Sequence, residues 1–253
     1  MKLKDRTVLI TGGSSGIGKG LAEVFYRLGS QVVVTGRQAE PLQALCEAHP
    51  GMAWFTMDVS DPESVRAAAK KAAAEFPRLD CLINNAGIQH RVDFSQEEMP
   101  ALEELSQEVN VNLNGLIWMT SAFLPLLRQN SPASIINVSS GLGFVPIAKM
   151  PIYCATKAAV HSFTQSLRHQ LKPGGIEVIE LVPPAVETRL DDGKREQNIP
   201  FQLTVAAFID STLQALQTDD VEIFIGAADH LRQNLQKDPN AAFSQMNPER
   251  VLI

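Results

Sequence analysis

The sequence has few cysteines, no basic run, no long apolar stretch and no linker-like tract, and each absence removes a class of function. Its three cysteines, Cys46, Cys81 and Cys154, lie far apart, with no pair at the two-residue spacing that metal and redox sites use. They read as reduced, mostly buried thiols. Twenty-two basic residues are outnumbered by 28 acidic ones, a net charge of -6. No cluster of lysine and arginine is long enough to follow a phosphate backbone or an anionic lipid surface, so neither nucleic acid nor membrane is expected as a partner. The N-terminal MKLKDRTVLITGG holds an apolar run only from Val8 to Ile10. That is too short for a signal-peptide core or a membrane span, and a cytoplasmic location is expected. No Pro/Gly/Ser-rich linker, internal repeat or low-complexity tract divides the chain, which argues for a single domain over residues 1–253.

What is present is the material of one α/β domain. With 45% apolar and 20% charged residues, a chain of 253 residues buries a sizeable core, roughly three-quarters of its unfolded surface. Short β-branched apolar runs predict strands at 7–11, 31–35, 52–57, 80–84, 134–138, 176–182 and 221–225. Helical spacing falls between them, at 18–28, 41–48, 62–76, 102–127, 152–171 and 205–216. Strands alternating with helices imply right-handed βαβ units. The expected fold is a doubly wound, Rossmann-like domain with a seven-stranded parallel sheet flanked by helices. Two stretches resist this pattern. Residues 184–201, PAVETRLDDGKREQNIPF, are polar and charged and follow a strand's C-terminal end, where a substrate lid would sit. Residues 234–253 carry weak periodicity and two prolines and read as a tail.

The first strand runs straight into TGGSSGIG, residues 11–18, and a helical pattern follows at once. At such a turn the helix N-terminus presents unpaired N–H groups and a positive dipole end, which suit a pyrophosphate, while glycine lets the ligand approach the backbone. Gly12, Gly16 and Gly18 are the candidates, although their spacing differs from the G-x-G-x-x-G fingerprint and an ordinary tight turn would look similar.

Tyr153 and Lys157 stand four apart in a helical segment, so their side chains share one face. An ammonium beside a phenol favours phenolate and makes the tyrosine usable as a proton donor or acceptor. Thirteen residues earlier, Ser140 follows the strand ending at Val138, where a hydroxyl can hydrogen-bond a substrate oxygen as it gains negative charge. A helix or turn cap is its bland alternative. NNAG at 84–87 also follows a strand, and VNLNG at 111–115 places asparagines inside a long helical segment they do not favour.

TGGSSGIG, NNAG, VNLNG, a serine thirteen before a tyrosine, and YCATK occur in the order and spacing of the short-chain dehydrogenase/reductase family, which the first 190 or so residues resemble. The resemblance implies a catalytic tetrad of Asn112, Ser140, Tyr153 and Lys157. Tyr153 would be the proton donor or acceptor, Ser140 would position the carbonyl, Lys157 would also bind the nicotinamide ribose, and Asn112 would prop a water leading from the lysine to solvent. It further implies a cofactor site drawn from Gly12, Ser14, Ser15, Gly16, Ile17, Gly18, Arg37, Asp58, Val59, Asn85, Ala86, Gly87, Pro183, Val186 and Thr188, with Tyr153 and Lys157. One departure is Pro183-Pro184 where the family commonly has Pro-Gly, because the second proline fixes φ and removes an N–H. LVPPAVET and PIYCATKAAVHSFTQSLRHQL together resemble a bacterial oxidoreductase subgroup linked to teichoic-acid D-alanylation.

The expected reaction is hydride transfer between NAD(P)(H) and a carbonyl or alcohol on a small molecule. A non-catalytic nucleotide-binding regulator or scaffold on the same fold is the alternative, which the intact tetrad opposes. A sugar-nucleotide epimerase or dehydratase would need a longer C-terminal substrate domain than the 65 residues after Thr188. The second strand ends VVVTGR, with Gly36 and Arg37 where NAD-preferring enzymes often carry an acidic residue, so NADP(H) is expected over NAD(H). Phe144, Val145, Pro146 and Met150 lie between Ser140 and Tyr153 and suggest a partly apolar substrate, though core packing explains them equally. His90 reads as an exposed loop residue and His161 and His169 as helix-surface residues, and no metal site is expected. The helical segments at 102–127 and 152–171 lead to an expected homo-dimer or homo-tetramer, since family members commonly pack them across a two-fold axis.

Overall fold

The computed structural model describes residues 1, 3–188, 190 and 202–248. Seven strands, β1 (Thr7–Thr11), β2 (Gln31–Gly36), β3 (Ala53–Thr56), β4 (Cys81–Asn84), β5 (Ala133–Val138), β6 (Ile176–Val182) and β7 (Glu222–Phe224), form one sheet in the order β3-β2-β1-β4-β5-β6-β7. Every pairing is parallel. The helices are α1 (Gly16–Arg27), α2 (Ala39–Ala48), α3 (Pro62–Glu75), α4 (Leu102–Val109), α5 (Gly115–Gln129), α6 (Pro151–Leu171), α7 (Val205–Ala215), α8 (Ala227–Lys237) and α9 (Pro239–Met246). The direction of winding reverses between β1 and β4, and that is where a doubly wound sheet opens a crevice at its C-terminal edge.

Near-continuous apolar strands belong to a sheet buried on both sides. Their period-two alternation divides them between two cores. Val8, Ile10, Val32, Val34, Cys81, Ile83, Ile136, Ile179 and Leu181 face one way, against Leu21 and Phe25 of α1, Leu42 of α2 and Phe208 of α7. Leu9, Val33, Leu82, Ile135, Ile176 and Val178 face the other, against Val65 of α3, Met119 and Phe123 of α5, and Leu167 and Leu171 of α6. Phe25, Phe123 and Phe208 are fully buried, each worth roughly 2 to 3 kcal/mol by area removed from water.

The expected helix over 102–127 is two helices, α4 and α5, joined by a π turn at Asn110–Asn114. Asn114 Nδ2 donates to Asn110 Oδ1 at 3.0 Å, so these asparagines bond to each other across the widened turn. The stretch expected as a tail is instead helical to Met246. Asp238 caps α9 by accepting from Asn240 and Ala241 N–H, Pro239 occupies the first helical position, and Ala242 is buried. Residues 249–253 lie outside the described residues, as do 189 and 191–201 of the expected lid. What is described of that stretch is tied down: Val186 bridges Leu203, with Glu187 N–H donating to Leu203 C=O and Leu203 N–H to Ala185 C=O. Cys81 and Cys154 are buried, Cys46 is half-buried, and none is paired. Burial pushes the Cys46 thiol up to about 11 and Cys81 to about 12, which leaves both unreactive near neutral pH. No helix among the described residues is long and apolar enough to cross a membrane.

Candidate active site

The glycine turn opens α1 as expected. Ser15 at the N-cap is extended (φ -153, ψ 169) and makes no side-chain cap bond, and the first turn holds no acidic residue. The first amides of α1 are therefore left for an anion. Gly12 has φ 64, a conformation that glycine adopts without strain. A Cβ on Gly18 would collide with the Gly12 carbonyl and the Asn85 amide, so only glycine lets the helix start this close to the turn. A Cβ on Gly16 would lie 2.9 Å from Thr188 Cγ2, which puts Thr188, beyond β6, across the crevice from the loop.

NNAG fastens this cradle from the neighbouring strand. Thr11 Oγ1 accepts from Asn85 N–H and Ala86 N–H, both at 3.0 Å, while Asn85 Nδ2 donates to Thr11 C=O at 2.9 Å and Gly12 C=O at 3.2 Å. Asn85 therefore holds the loop with its side chain. Asp58 Oδ1 accepts from the backbone N–H and hydroxyl of Ser60 at 2.9 and 2.6 Å, and Val59 packs beneath Gly115 at the start of α5. Ser14 and Ile17 are partly buried at the loop. Arg37 is exposed at the end of β2 and makes no hydrogen bond or ion pair with the described residues. Pro183 accepts from Gly141 N–H at 3.0 Å, so the Pro183-Pro184 step leaves β6 still tied to the turn after β5.

α6 starts at Pro151, a residue suited to a helix's first position, and puts Tyr153 in its first turn with Lys157 one turn on. Both are 5% exposed. Lys157 Nζ donates to Val138 C=O at 2.9 Å and lies 5.7 Å from the centroid of the Tyr153 ring. Burial pulls the Lys157 ammonium down to about 8, opposed by the negative charge of Glu180. Ser140 follows Val138 by two residues and caps the short turn Gly141–Gly143, its Oγ accepting from Leu142 N–H at 3.1 Å. The two readings of Ser140 are compatible, since a hydroxyl that accepts this bond still has its proton to donate.

Asn112, 1% exposed in the π turn, accepts from Ile88 N–H at 2.8 Å and donates to Ile88 C=O at 2.9 Å and Thr156 Oγ1 at 3.2 Å. Its side chain thus clamps the strand-end loop to α6 without bonding Lys157. A Cβ on Gly87 would lie 3.3 Å from Asn112 Oδ1 and 3.8 Å from Lys157 Nζ, so all three meet at one corner.

Sequence reasoning missed several supports of this corner. Asn84 Nδ2 donates to Asn137 Oδ1 at 2.9 Å, and Asn137 Nδ2 to Thr164 Oγ1 at 2.9 Å, a buried ladder that crosses β4, β5 and α6. Asparagines within apolar strands were its visible signal. Glu108 of α4 is buried and accepts from His90 N–H at 2.6 Å, and burial pushes its carboxyl up against that bond. His90 itself is exposed, as expected.

Tyr153 packs with Met150 and Cys154, flanked by Leu142, Ile147 and Leu190. Phe144 points elsewhere, against His161 and Phe224 at centroid distances of 4.5 and 4.9 Å, and leaves the expected pocket lining. Asn247, just past α9, donates to Pro146 C=O at 2.9 Å and accepts from Ala148 N–H, so the C-terminal helices wall the segment before Tyr153.

Comparison with known proteins places this arrangement. The family model described as short chain dehydrogenase matches residues 6–199. An uncharacterized oxidoreductase of Bacillus subtilis (strain 168), DltE, is 37% identical over 98% of this chain and 99% of its own. A short chain dehydrogenase from Burkholderia cenocepacia, solved in complex with NADP, superposes with a TM-score of 0.85 at 29% identity, over 97% of this chain and 99% of that one. A 3-ketoacyl-(acyl-carrier-protein) reductase from Brucella melitensis, complexed with NADH, gives 0.79 at 30% identity, over 89% and 98%. With its seven-stranded sheet and the family's motifs at that sheet's C-terminal edge, the chain belongs to the short-chain dehydrogenase family of oxidoreductases and resembles DltE within it.

Proposed function

We propose that this protein transfers a hydride between NADP(H) and the carbonyl or alcohol carbon of a partly apolar small molecule, with Tyr153 as the proton donor or acceptor. The observation that carries the reading is the buried Lys157 ammonium facing the Tyr153 ring at the C-terminal edge of the sheet. When bound, the nicotinamide supplies or accepts the hydride. The chain has the groups to hold such a dinucleotide: the uncapped N-terminus of α1 for the pyrophosphate, Asp58 and Val59 beyond β3, Ala86 and Gly87 beyond β4, and Val186 and Thr188 beyond β6. In the reductive direction Tyr153 gives its proton to the substrate oxygen while Ser140 Oγ donates a hydrogen bond to it. Lys157 holds positive charge beside the phenolate left behind and offers a donor to ribose hydroxyls. Leu142, Ile147 and Met150 around Tyr153 favour an apolar group next to the reacting carbon. The unpaired thiols fit a reducing compartment, and the proposal places the enzyme in the cytoplasm.

NADP(H) over NAD(H) rests on Arg37, whose guanidinium is free to pair with a 2′-phosphate. A carbonyl panel followed by nicotinamide absorbance tests turnover, and kcat/KM for NADPH over NADH is expected to fall roughly tenfold or more in Arg37→Ala. An unchanged ratio refutes the preference, and tight nucleotide binding without turnover on any carbonyl refutes the enzyme.

The proposal includes a homo-oligomer. An apolar groove of about 350 Å³ runs over α4, the π turn and α6, lined by Phe94, Val109, Leu113, Pro151, Ile152, Ala155 and Thr156. Phe94 is 62% and Leu102 76% exposed beside it. A two-fold axis would bury this face against its own copy. Light scattering at micromolar protein is expected to give at least a dimer, and Phe94→Glu to shift it toward monomer; a monomeric parent would contradict the assignment.

A further inference from the structure

β6, IEVIELV, carries two glutamates, Glu177 and Glu180, and the second of them is 0% exposed. Its register partner on β7 is Glu222. Parallel neighbours in register point to the same face, so the two carboxylates stand side by side beneath α6, a destabilising placement for like charges. His161 comes down from α6 with Nδ1 2.7 Å from Glu180 Oε2, while Glu180 Oε1, buried, has no hydrogen-bond partner. Glu222 is partly exposed, and its Oε1 accepts from Arg168 Nη1 at 3.1 Å and Gln165 Nε2 at 3.3 Å. One donor atom from each of His161, Glu180 and Glu222 lies within 4.8 Å of the others, a grouping found once among the described residues.

We propose that His161, Glu180 and Glu222 form a site for a divalent transition-metal ion of the zinc class. One imidazole nitrogen and two carboxylate oxygens are donors that Zn²⁺ takes. Around tetrahedral zinc such donors stand about 3.4 Å apart, so small side-chain rotations close the 4.8 Å spread. The cation would partner the orphaned Glu180 oxygen and relieve the repulsion between the two carboxylates, which His161 on Glu180 and the Arg168 guanidinium on Glu222 do only in part. Surrounding groups already hold the ligands in place: Arg168 and Gln165 orient Glu222, and the Phe144 ring lies 4.5 Å from that of His161. Side-chain exposures of 22% for His161 and 32% for Glu222 leave a path for the ion and room for a water as fourth ligand. The site joins α6 to the β6-β7 edge one turn beyond Lys157; the charge of Glu180 reaches Lys157, but the ligand set includes none of the hydride-transfer groups and the proposal does not rest on that reaction.

The test uses the full-length, tag-free chain treated with a chelator and titrated with Co²⁺. Binding of one equivalent per chain is expected, with visible absorption that added Zn²⁺ abolishes. Zn²⁺ at about a hundred times its Kd is expected to raise Tm by several degrees. His161→Ala and Glu222→Gln, both at partly exposed positions, are expected to weaken Co²⁺ binding at least about tenfold. His169→Ala, on the exposed face of the same helix, is expected to leave it unchanged. No saturable binding by about 1 mM, or equal binding in parent, His161→Ala and Glu222→Gln, overturns the site and leaves a His161–Glu180 hydrogen bond alone.

Discussion

Tyr153→Phe is expected to lower kcat by roughly a thousandfold while moving the Kd for NADPH less than about threefold, the range in which a positioned proton donor contributes. The substitution removes one hydroxyl. The ring that packs with Met150 and Cys154 stays, Lys157 keeps its bond to Val138 C=O, and α1 keeps its open amides, so the cofactor side of the site is untouched. Without that hydroxyl the substrate oxygen must take its proton from water. Ser140 can still donate a hydrogen bond, and some rate above background should survive on that account, as it does when one member of a catalytic set is removed. Single-turnover kinetics beside equilibrium NADPH titration separates the two effects. A variant that turns over at near the parent rate would sink the mechanism; one that loses NADPH binding in equal measure would make Tyr153 a cofactor ligand first.

The sheet was readable in the sequence because its information is local. Each strand is a short apolar run, and the seven expected runs coincide with the seven strands to within about three residues at either end. The glycine turn and the Tyr153–Lys157 spacing were equally local, since a strand-turn-helix junction and one helical turn each lie within a dozen residues. Ser140 stands out by its place at a strand end and Asn112 by the family's pattern, and the structure gives each a bonding role: Ser140 as a turn cap with a proton to donate, Asn112 as a clamp on Ile88. The helix at 102–127 was misread because apolar periodicity runs through the π turn without a break, and only the Asn110–Asn114 pair marked the widened turn. The C-terminal helices were missed for a different reason. Weak periodicity and two prolines make 234–253 read as a tail, whereas Asp238-Pro239 is a cap followed by a first-turn proline, and polar α8 has little apolar face to announce it. What lay beyond the sequence was long-range: that Glu180 meets His161 and Glu222, that Asn84, Asn137 and Thr164 align, and that Phe144 turns away from Tyr153.

Lys157→Met should abolish turnover and, without cofactor, make the protein more stable at pH 7. Burial holds the lysine at about 8 against 10.5 in an unfolded chain. The unfolded state therefore binds this proton more tightly than the native state does, and the native chain bears the full penalty at any pH below about 8. Between about 8 and 10.5 the native lysine sheds its proton first, and stability rises with pH across that window. A displacement of that size is worth about 3 kcal/mol. Methionine has similar length and no charge to desolvate, but it strips Val138 C=O of its Lys157 donor, a loss of about 1 kcal/mol. The net gain at pH 7 is then about 2 kcal/mol, or roughly 4 to 8 °C in Tm for a chain of this size. Titrating groups remote from Lys157 are shared and cancel, so the difference between parent and variant reports Lys157 together with its neighbours Glu180 and Tyr153: the variant's advantage should be largest at pH 7 and vanish or reverse by about pH 10. Saturating NADPH should reverse it at pH 7 as well, since the parent gains ribose contacts that methionine cannot make. Thermal unfolding at pH 7, 8.5 and 10, with and without NADPH, reads both. A variant no more stable than its parent at pH 7, or a gap that ignores pH, would show that this ammonium is not held in the native state at a cost, and that its charge was not retained against stability for use beside Tyr153.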